Sequence, residues 1–195
     1  MRHLNGKFKC YSTTKVKKLY QNRYLHEINQ LKRSIQNWDD LYSEELTEDH
    51  IGQLIRIEVL GKSISEKYAW AIPDLRALKI LSNYSPLIEI GCGKKYWGSQ
   101  IERICQIHVI GYDRDIESET FGEVLQGGAE VLLNKEYEHH NLFLCYPDED
   151  TSLAYECLEN FQGIILAAYT TKRLCILMYT LVYVLVIYTH LCMCV

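Results

Sequence analysis

The residues best suited to chemistry lie in the run Pro86-Leu87-Ile88-Glu89-Ile90-Gly91-Cys92-Gly93-Lys94-Lys95-Tyr96-Trp97-Gly98, followed by Val109-Ile110-Gly111-Tyr112-Asp113. The pattern predicts a buried strand, a glycine turn that opens a helix, and a second buried strand ending in a carboxylate. Glycines let a ligand approach the backbone, and an acid at that place accepts hydrogen bonds from ribose hydroxyls. This is how an open α/β sheet holds an adenosyl cofactor. Asp113 follows Glu89 by 24 residues, close to the roughly 20 expected between a glycine turn and a ribose acid.

The turn discriminates between cofactors. A dinucleotide fingerprint G-x-G-x-x-G starting at Gly91 needs a glycine where Tyr96 stands, which counts against NAD. The arrangement acid-x-Gly-x-Gly from Glu89 to Gly93 resembles the first motif of class I S-adenosylmethionine-dependent methyltransferases. That motif commonly has a third glycine where this chain has Lys95. A lysine fits if its backbone needs no positive φ, and its bulk is expected to crowd the cofactor.

The resemblance, to a poorly characterised group of predicted methyltransferases, runs from about Tyr68 to Gly163. It rests on Tyr68-Ala69-Trp70-Ala71-Ile72-Pro73-Asp74, the glycine turn with Tyr96-Trp97, Gln126-Gly127-Gly128-Ala129-Glu130-Val131-Leu132, and Asn141-Leu142-Phe143-Leu144-Cys145-Tyr146-Pro147. It implies S-adenosylmethionine as cofactor. Glu89 would orient the turn and approach the methionine amino group, Gly91 and Gly93 would admit the cofactor, and Asp113 would hold the ribose. Tyr68 and Trp70 would form a lid, with core packing as the alternative. Ala129 or Glu130 would read the adenine amino group, unless Glu130 is a solvated acid in a first helical turn. Tyr146 and Asp148, after the fourth strand, are the candidates for the acceptor side. Cys145 stands where amino-methylating enzymes carry Asp or Asn, so the methyl acceptor stays unknown.

No rival reaction centre is legible. The chain has no G-x-S-x-G, H-E-x-x-H or C-x-x-C motif. His190, Cys192 and Cys194 read as incidental, and His139-His140 as a solvated loop, so no metal site is assigned. A net charge of −4 hides an asymmetry. Residues 1–36 carry nine Lys or Arg against the single acid Glu27, whereas residues 37–50 carry six acids and neither Lys nor Arg. A basic helix facing water explains this as well as nucleic-acid or membrane-surface binding does, so no specific nucleic-acid signal is read. Eight irregularly spaced cysteines with no cleavable amino-terminal signal suggest reduced thiols and a cytoplasmic protein.

The elements that must position these residues follow from periodicity. Leu25, Ile28, Leu31, Ile35 and Trp38 predict one amphipathic helix. Ile51, Leu54, Ile55 and Val59 predict a second with a core-facing stripe, closed by Gly61. Ile72-Pro73-Asp74 starts a third, with Leu75, Leu78 and Leu81 on one face. From Pro86 strands and helices alternate, with a helix over about Thr151 to Asn160 and a strand at Gly163 to Ala168, which implies a parallel sheet.

After Gly163 the composition changes. Leu174 to Val195 is 22 residues, 19 of them apolar, with no formal charge apart from the titratable His190. As a helix it would extend about 33 Å, enough to cross a hydrocarbon core of roughly 30 Å. Lys172 and Arg173 precede it, as expected for a cytosolic domain with a carboxyl-terminal anchor. The alternative is that the tail does not belong to the domain, because the resemblance implies seven strands ending in a hairpin and this stretch matches none of them.

The sequence therefore predicts an α/β, Rossmann-like, mostly parallel sheet with helices on both faces. Residues 1–67 form a helical extension, residues 68–168 a partial methyltransferase domain incomplete at its carboxyl end, and residues 174–195 a hydrophobic tail. The expected function is S-adenosylmethionine-dependent methyl transfer, with a membrane-tethered, non-catalytic adaptor on the same fold as the alternative.

Overall fold

The computed structural model describes residues 22–35, 47–147, 152–169 and 183–188. Two helices come first. Helix α1, Arg23–Arg33, is capped by Asn22, whose side chain accepts from the Leu25 N–H. Helix α2, Glu48–Lys67, starts with a reciprocal cap between Thr47 and His50. Asp74 caps α3, Leu75–Ser82, by accepting from the Ala77 N–H.

The sheet then begins with β1, Leu87–Ile90, and α4, Tyr96–Cys105, and continues through β2, Val109–Asp113, and the two-residue β3, Leu125–Gln126. Turns of 3-10 helix over Ala129–Leu133 and Lys135–Tyr137 lead to β4, Asn141–Cys145. Helix α5, Leu153–Asn160, precedes β5, Ile164–Tyr169, and β6 is Tyr183–Tyr188.

Strand order is β3-β2-β1-β4-β5-β6, with β1 to β5 parallel and β6 antiparallel to β5. The fold is Rossmann-like α/β. Strand side chains alternate between two apolar layers, as the period of two requires. Leu87, Val109, Phe143 and Leu166 pack with Leu78, Leu81, Trp97 and Ile101 of α3 and α4. Ile88, Leu142, Leu144 and Ile165 pack with Leu132, Tyr137, Cys157 and Phe161 on the other face. A third cluster, Tyr24, Ile28, Leu31, Ile57, Tyr68 and Tyr96, welds α1 and α2 to the start of α4.

Three expectations need correction. Gly61 does not close α2. It is buried inside a helix that runs on to Lys67, a place where a side-chain-free residue suits close packing. The inward face of α2 is Leu54, Ile57, Gly61, Ile64 and Ser65, while Ile51, Ile55 and Val59 are exposed, because the helix is apolar on two sides and only one meets α1. In the tail, Tyr183–Tyr188 forms a strand along β5, so the expected helix over residues 174–195 is not formed there. Among the described residues no helix is long and apolar enough to cross a membrane. Trp38, Asp148 and most of residues 174–195 lie outside the described residues.

Candidate functional site

Between β1 and β4 the strand order reverses direction. In open α/β sheets ligands bind there, beyond the carboxyl ends of the strands. A cavity of about 430 Å³ lies at that place. Its walls come from the end of β1 and the glycine turn (Glu89, Gly91, Cys92, Gly93, Lys94), the end of β4 (Cys145), the start of α4 (Tyr96, Trp97), and the stretch at the end of α2 and beyond (Ser65, Glu66, Tyr68, Ala69, Trp70). Glu117 closes one side.

The turn reverses the chain through left-handed backbone at alternate residues, with φ of 68° at Gly91, 51° at Gly93 and 59° at Lys95. A Cβ on Gly91 would meet Leu153 Cδ2 at 2.7 Å, whereas nothing lies within 4 Å of the same position on Gly93. Gly91 is thus fixed by packing against α5, and Gly93 leaves room over the backbone. Asp113 braces the turn. Its Oδ2 accepts from the Gly93 N–H at 2.7 Å and its Oδ1 from the Asp115 N–H at 3.0 Å.

Lys95 overturns the expectation attached to it. Its backbone does occupy positive φ, yet its side chain turns inward, 2 % exposed, and does not line the cavity. The stem runs past Gly98, Gly111 and Gly122, where an added Cβ would have its nearest stem carbon at 3.0 to 3.3 Å. Its Nζ meets Glu102 Oε1 at 3.1 Å. The same oxygen accepts from the Val109 N–H at 3.1 Å and faces His108 Nδ1 at 3.1 Å.

Glu89 is 1 % exposed, and its Oε2 has no hydrogen-bond partner. Burial pushes its carboxyl up to about 8; Lys95 and the Gly98 N–H oppose the rise, and Glu102 and Asp113 add to it. The thiols beside it are poor nucleophiles. Burial, reinforced by Glu89, drives both Cys92 and Cys145 far up from the ordinary thiol range.

Aromatic packing holds the outer wall. Tyr68 stacks on Tyr24 at 5.1 Å and on Phe121 at 5.6 Å, and Tyr96 meets Phe121 edge-on at 4.9 Å. Tyr96 Oη donates to Asn22 Oδ1 at 2.8 Å, Asn22 Nδ2 to the Pro73 carbonyl at 3.1 Å, and Trp97 Nε1 to the Ala71 carbonyl at 2.9 Å. The segment after β2 crosses the glycine turn, where the Phe121 N–H donates to the Lys94 carbonyl at 2.8 Å and Glu117 pairs with Lys94 at 3.1 Å.

The structure therefore brings Glu89, Gly91, Gly93, Tyr68 and Trp70 around one cavity. Tyr68 is buried wall, and Trp70, 47 % exposed, stands at the rim. Asp113 is not among the cavity residues and reaches the site only through its bond to the Gly93 N–H. Ala129 and Glu130 are not among the cavity residues. Ala129 is buried with its carbonyl accepting from Asn160 Nδ2, and Glu130 accepts from the Gly128 N–H, which holds its carboxyl below the usual range. Tyr146, at φ 50°, follows Cys145 and donates its N–H to the Ala168 carbonyl at 2.7 Å.

Residues that sequence reasoning missed are Ser65, Glu66, Lys94 and Glu117 in the lining and Phe121 beside it. Phe121, an aromatic in a polar stretch, was the one available signal. Among the described residues no group of three or more His, Cys, Asp or Glu could hold a metal. Searched against family models, curated proteins and solved structures, the chain finds no match.

Proposed function

We propose that this chain is an S-adenosylmethionine-dependent methyltransferase acting on an acceptor still to be identified. The observation that carries the reading is the placement of the acid-x-Gly-x-Gly turn: Gly91 and Gly93 in left-handed backbone, at the carboxyl end of β1, opening onto the cavity at the point where strand order reverses. The lining suits a cationic, partly apolar ligand. Glu66, Glu89 and Glu117 face it with one cation, Lys94, and Tyr68, Trp70, Tyr96 and Trp97 supply aromatic surface.

In this reading the sulfonium supplies the electrophile when bound, and the chain's own work is placement. Gly93 leaves space along the backbone, Asp113 fixes the turn and offers its carboxylate edge to the ribose, and Glu89 meets the positively charged methionyl end. The acceptor enters past Trp70 and reaches the end of β4, where Cys145 lines the cavity and Tyr146 follows. Elevated thiols at Cys92 and Cys145 disfavour a covalent cysteine route and leave direct transfer, for which alignment and exclusion of water are the levers. A membrane anchor is no part of the proposal, because Tyr183–Tyr188 would have to leave the sheet to join a helix.

Calorimetric titration of the full chain with S-adenosylmethionine, S-adenosylhomocysteine and NAD tests the reading. Binding of the first two without NAD is expected, with methyl transfer from labelled cofactor to a cell extract. NAD binding, or no adenosyl ligand bound by folded protein, overturns the proposal. Cofactor binding without transfer to any acceptor favours the adaptor alternative.

A further inference from the structure

The cavity is lined by a buried acid with one carboxyl oxygen that no residue around it satisfies. Glu89 is 1 % exposed, lines the cavity, and leaves Oε2 without a hydrogen-bond partner. A buried carboxylate in that situation is strongly disfavoured in its charged form and gains a proton instead. The nearest internal cation, Lys95, relieves it only in part. Its Nζ is paired with Glu102, while Glu89 Oε2 and Lys95 Cγ both crowd Gly98, where an added Cβ would lie 2.9 Å from the one and 3.0 Å from the other.

Titratable groups face Glu89 from every element packed around it. Helix α4 with its N-cap contributes Lys95, Glu102 and the Gly98 N–H; β2 contributes Asp113. The glycine turn contributes Cys92, and β4 contributes Cys145. Across the cavity stand Glu66, Lys94 and Glu117. Lys94 is paired with Glu117, so the ionisable neighbours within reach are predominantly acidic.

We infer that Glu89 is a carboxylic acid in the empty cavity and releases its proton when a positively charged ligand group is seated against Oε2, so that occupancy of this site is coupled to proton release. The step balances as one proton lost to buffer for each cation bound. The site then selects for positive charge, since a neutral ligand leaves the acid protonated and gains no ion pair. Lys95 is a positioning residue: from its place beside Glu102 it lowers the pH at which Glu89 can ionise, which accounts for a lysine where a glycine would relieve the backbone. The inference rests on the proposed function only for the identity of the cation.

The test uses the full chain. The Glu89 carboxyl is followed by carbon-13 NMR with and without trimethylsulfonium, a cation that has no adenosyl part. A midpoint near 8 is expected in the empty protein, a fall on adding trimethylsulfonium, and a higher midpoint in Lys95→Met. S-adenosylmethionine affinity should then increase about tenfold for each unit the pH rises toward that midpoint, with close to one proton released at pH 7 in calorimetry across buffers of different ionisation enthalpy. A Glu89 that titrates near 4, or a midpoint indifferent to trimethylsulfonium, overturns the inference. If trimethylsulfonium shifts the midpoint but S-adenosylmethionine does not bind, the inference stands and the methyltransferase reading fails; pH-independent cofactor binding gives the reverse.

Discussion

At residue scale, Lys95 shows how opposing terms are decided by size. A side chain in left-handed backbone costs roughly 1–2 kcal/mol, which Lys95→Gly would recover. Against that stand four buried methylenes at about 0.8 kcal/mol each and a Glu102 left without its cation. Lys95→Gly is therefore expected to lower stability by a few kcal/mol in urea titration, and an unchanged or raised midpoint would contradict the packing described. Glu89 gives a pH signature of defined sign. Its folded-state value of about 8 lies above that of an exposed glutamate, so between pH 4.5 and 8 the folded chain holds a proton that the unfolded chain has lost. Stability falls as pH rises through that window, by at most about 1.4 kcal/mol per unit. Glu89→Gln removes this slope: near pH 5 the variant should match the parent, and at pH 9 it should be the more stable. If the proposed function holds, Asp113→Ala should weaken S-adenosylmethionine binding by about 1.5–3 kcal/mol, the range for hydrogen bonds to charged groups, because it would lose the proposed ribose contact as well as the brace on Gly93. Equal affinity in folded variant and parent would remove Asp113 from that role.

At the scale of elements, the helices before the sheet are part of the site. Asn22 caps α1 and ties it to the Pro73 carbonyl and Tyr96 Oη, so α1, the approach to α3 and the start of α4 share one side chain. Asn22→Ala is expected to cost about 2–3 kcal/mol, a lost cap together with a stranded buried partner, read as a lower urea midpoint. Cofactor affinity should fall with it, because Tyr96 and Tyr68 line the cavity. None of this was legible in the sequence, where Asn22 is one polar residue in a basic stretch. The glycine turn, α3 and the strand pattern were legible, because glycine spacing, an Asp cap and apolar runs are local signals. The inward face of α2 was not, because Ile51 and Ile55 share its periodicity and only contact with α1 decides which stripe is buried. Ser65, Glu66 and Glu117 in the lining were equally hidden, being joined to the turn by tertiary contacts alone.

At the scale of the whole molecule, the far edge of the sheet is where composition and pairing point to different structures. Composition over residues 174–195 suits a membrane helix, yet backbone pairing puts Tyr183–Tyr188 antiparallel to β5, with Leu185 opposite Ala167 and Val186 opposite Leu166. Local apolarity cannot separate these states, since a fully apolar run satisfies either; a sheet edge in need of a partner can. Proline distinguishes them by period. In an antiparallel pair alternate residues direct their N–H into the ladder, so one of Leu185→Pro and Val186→Pro must strand a β5 carbonyl and the other need not. The expected outcome is a loss of about 1–3 kcal/mol greater for one variant than for its neighbour, measured by urea unfolding of the full chain. A membrane helix has no such alternation, because proline at either position removes one i to i−4 bond and kinks the same turn. Equal responses, accompanied by recovery of the parent chain in carbonate-resistant membranes, would remove β6 from the fold and return the tail to the anchor reading.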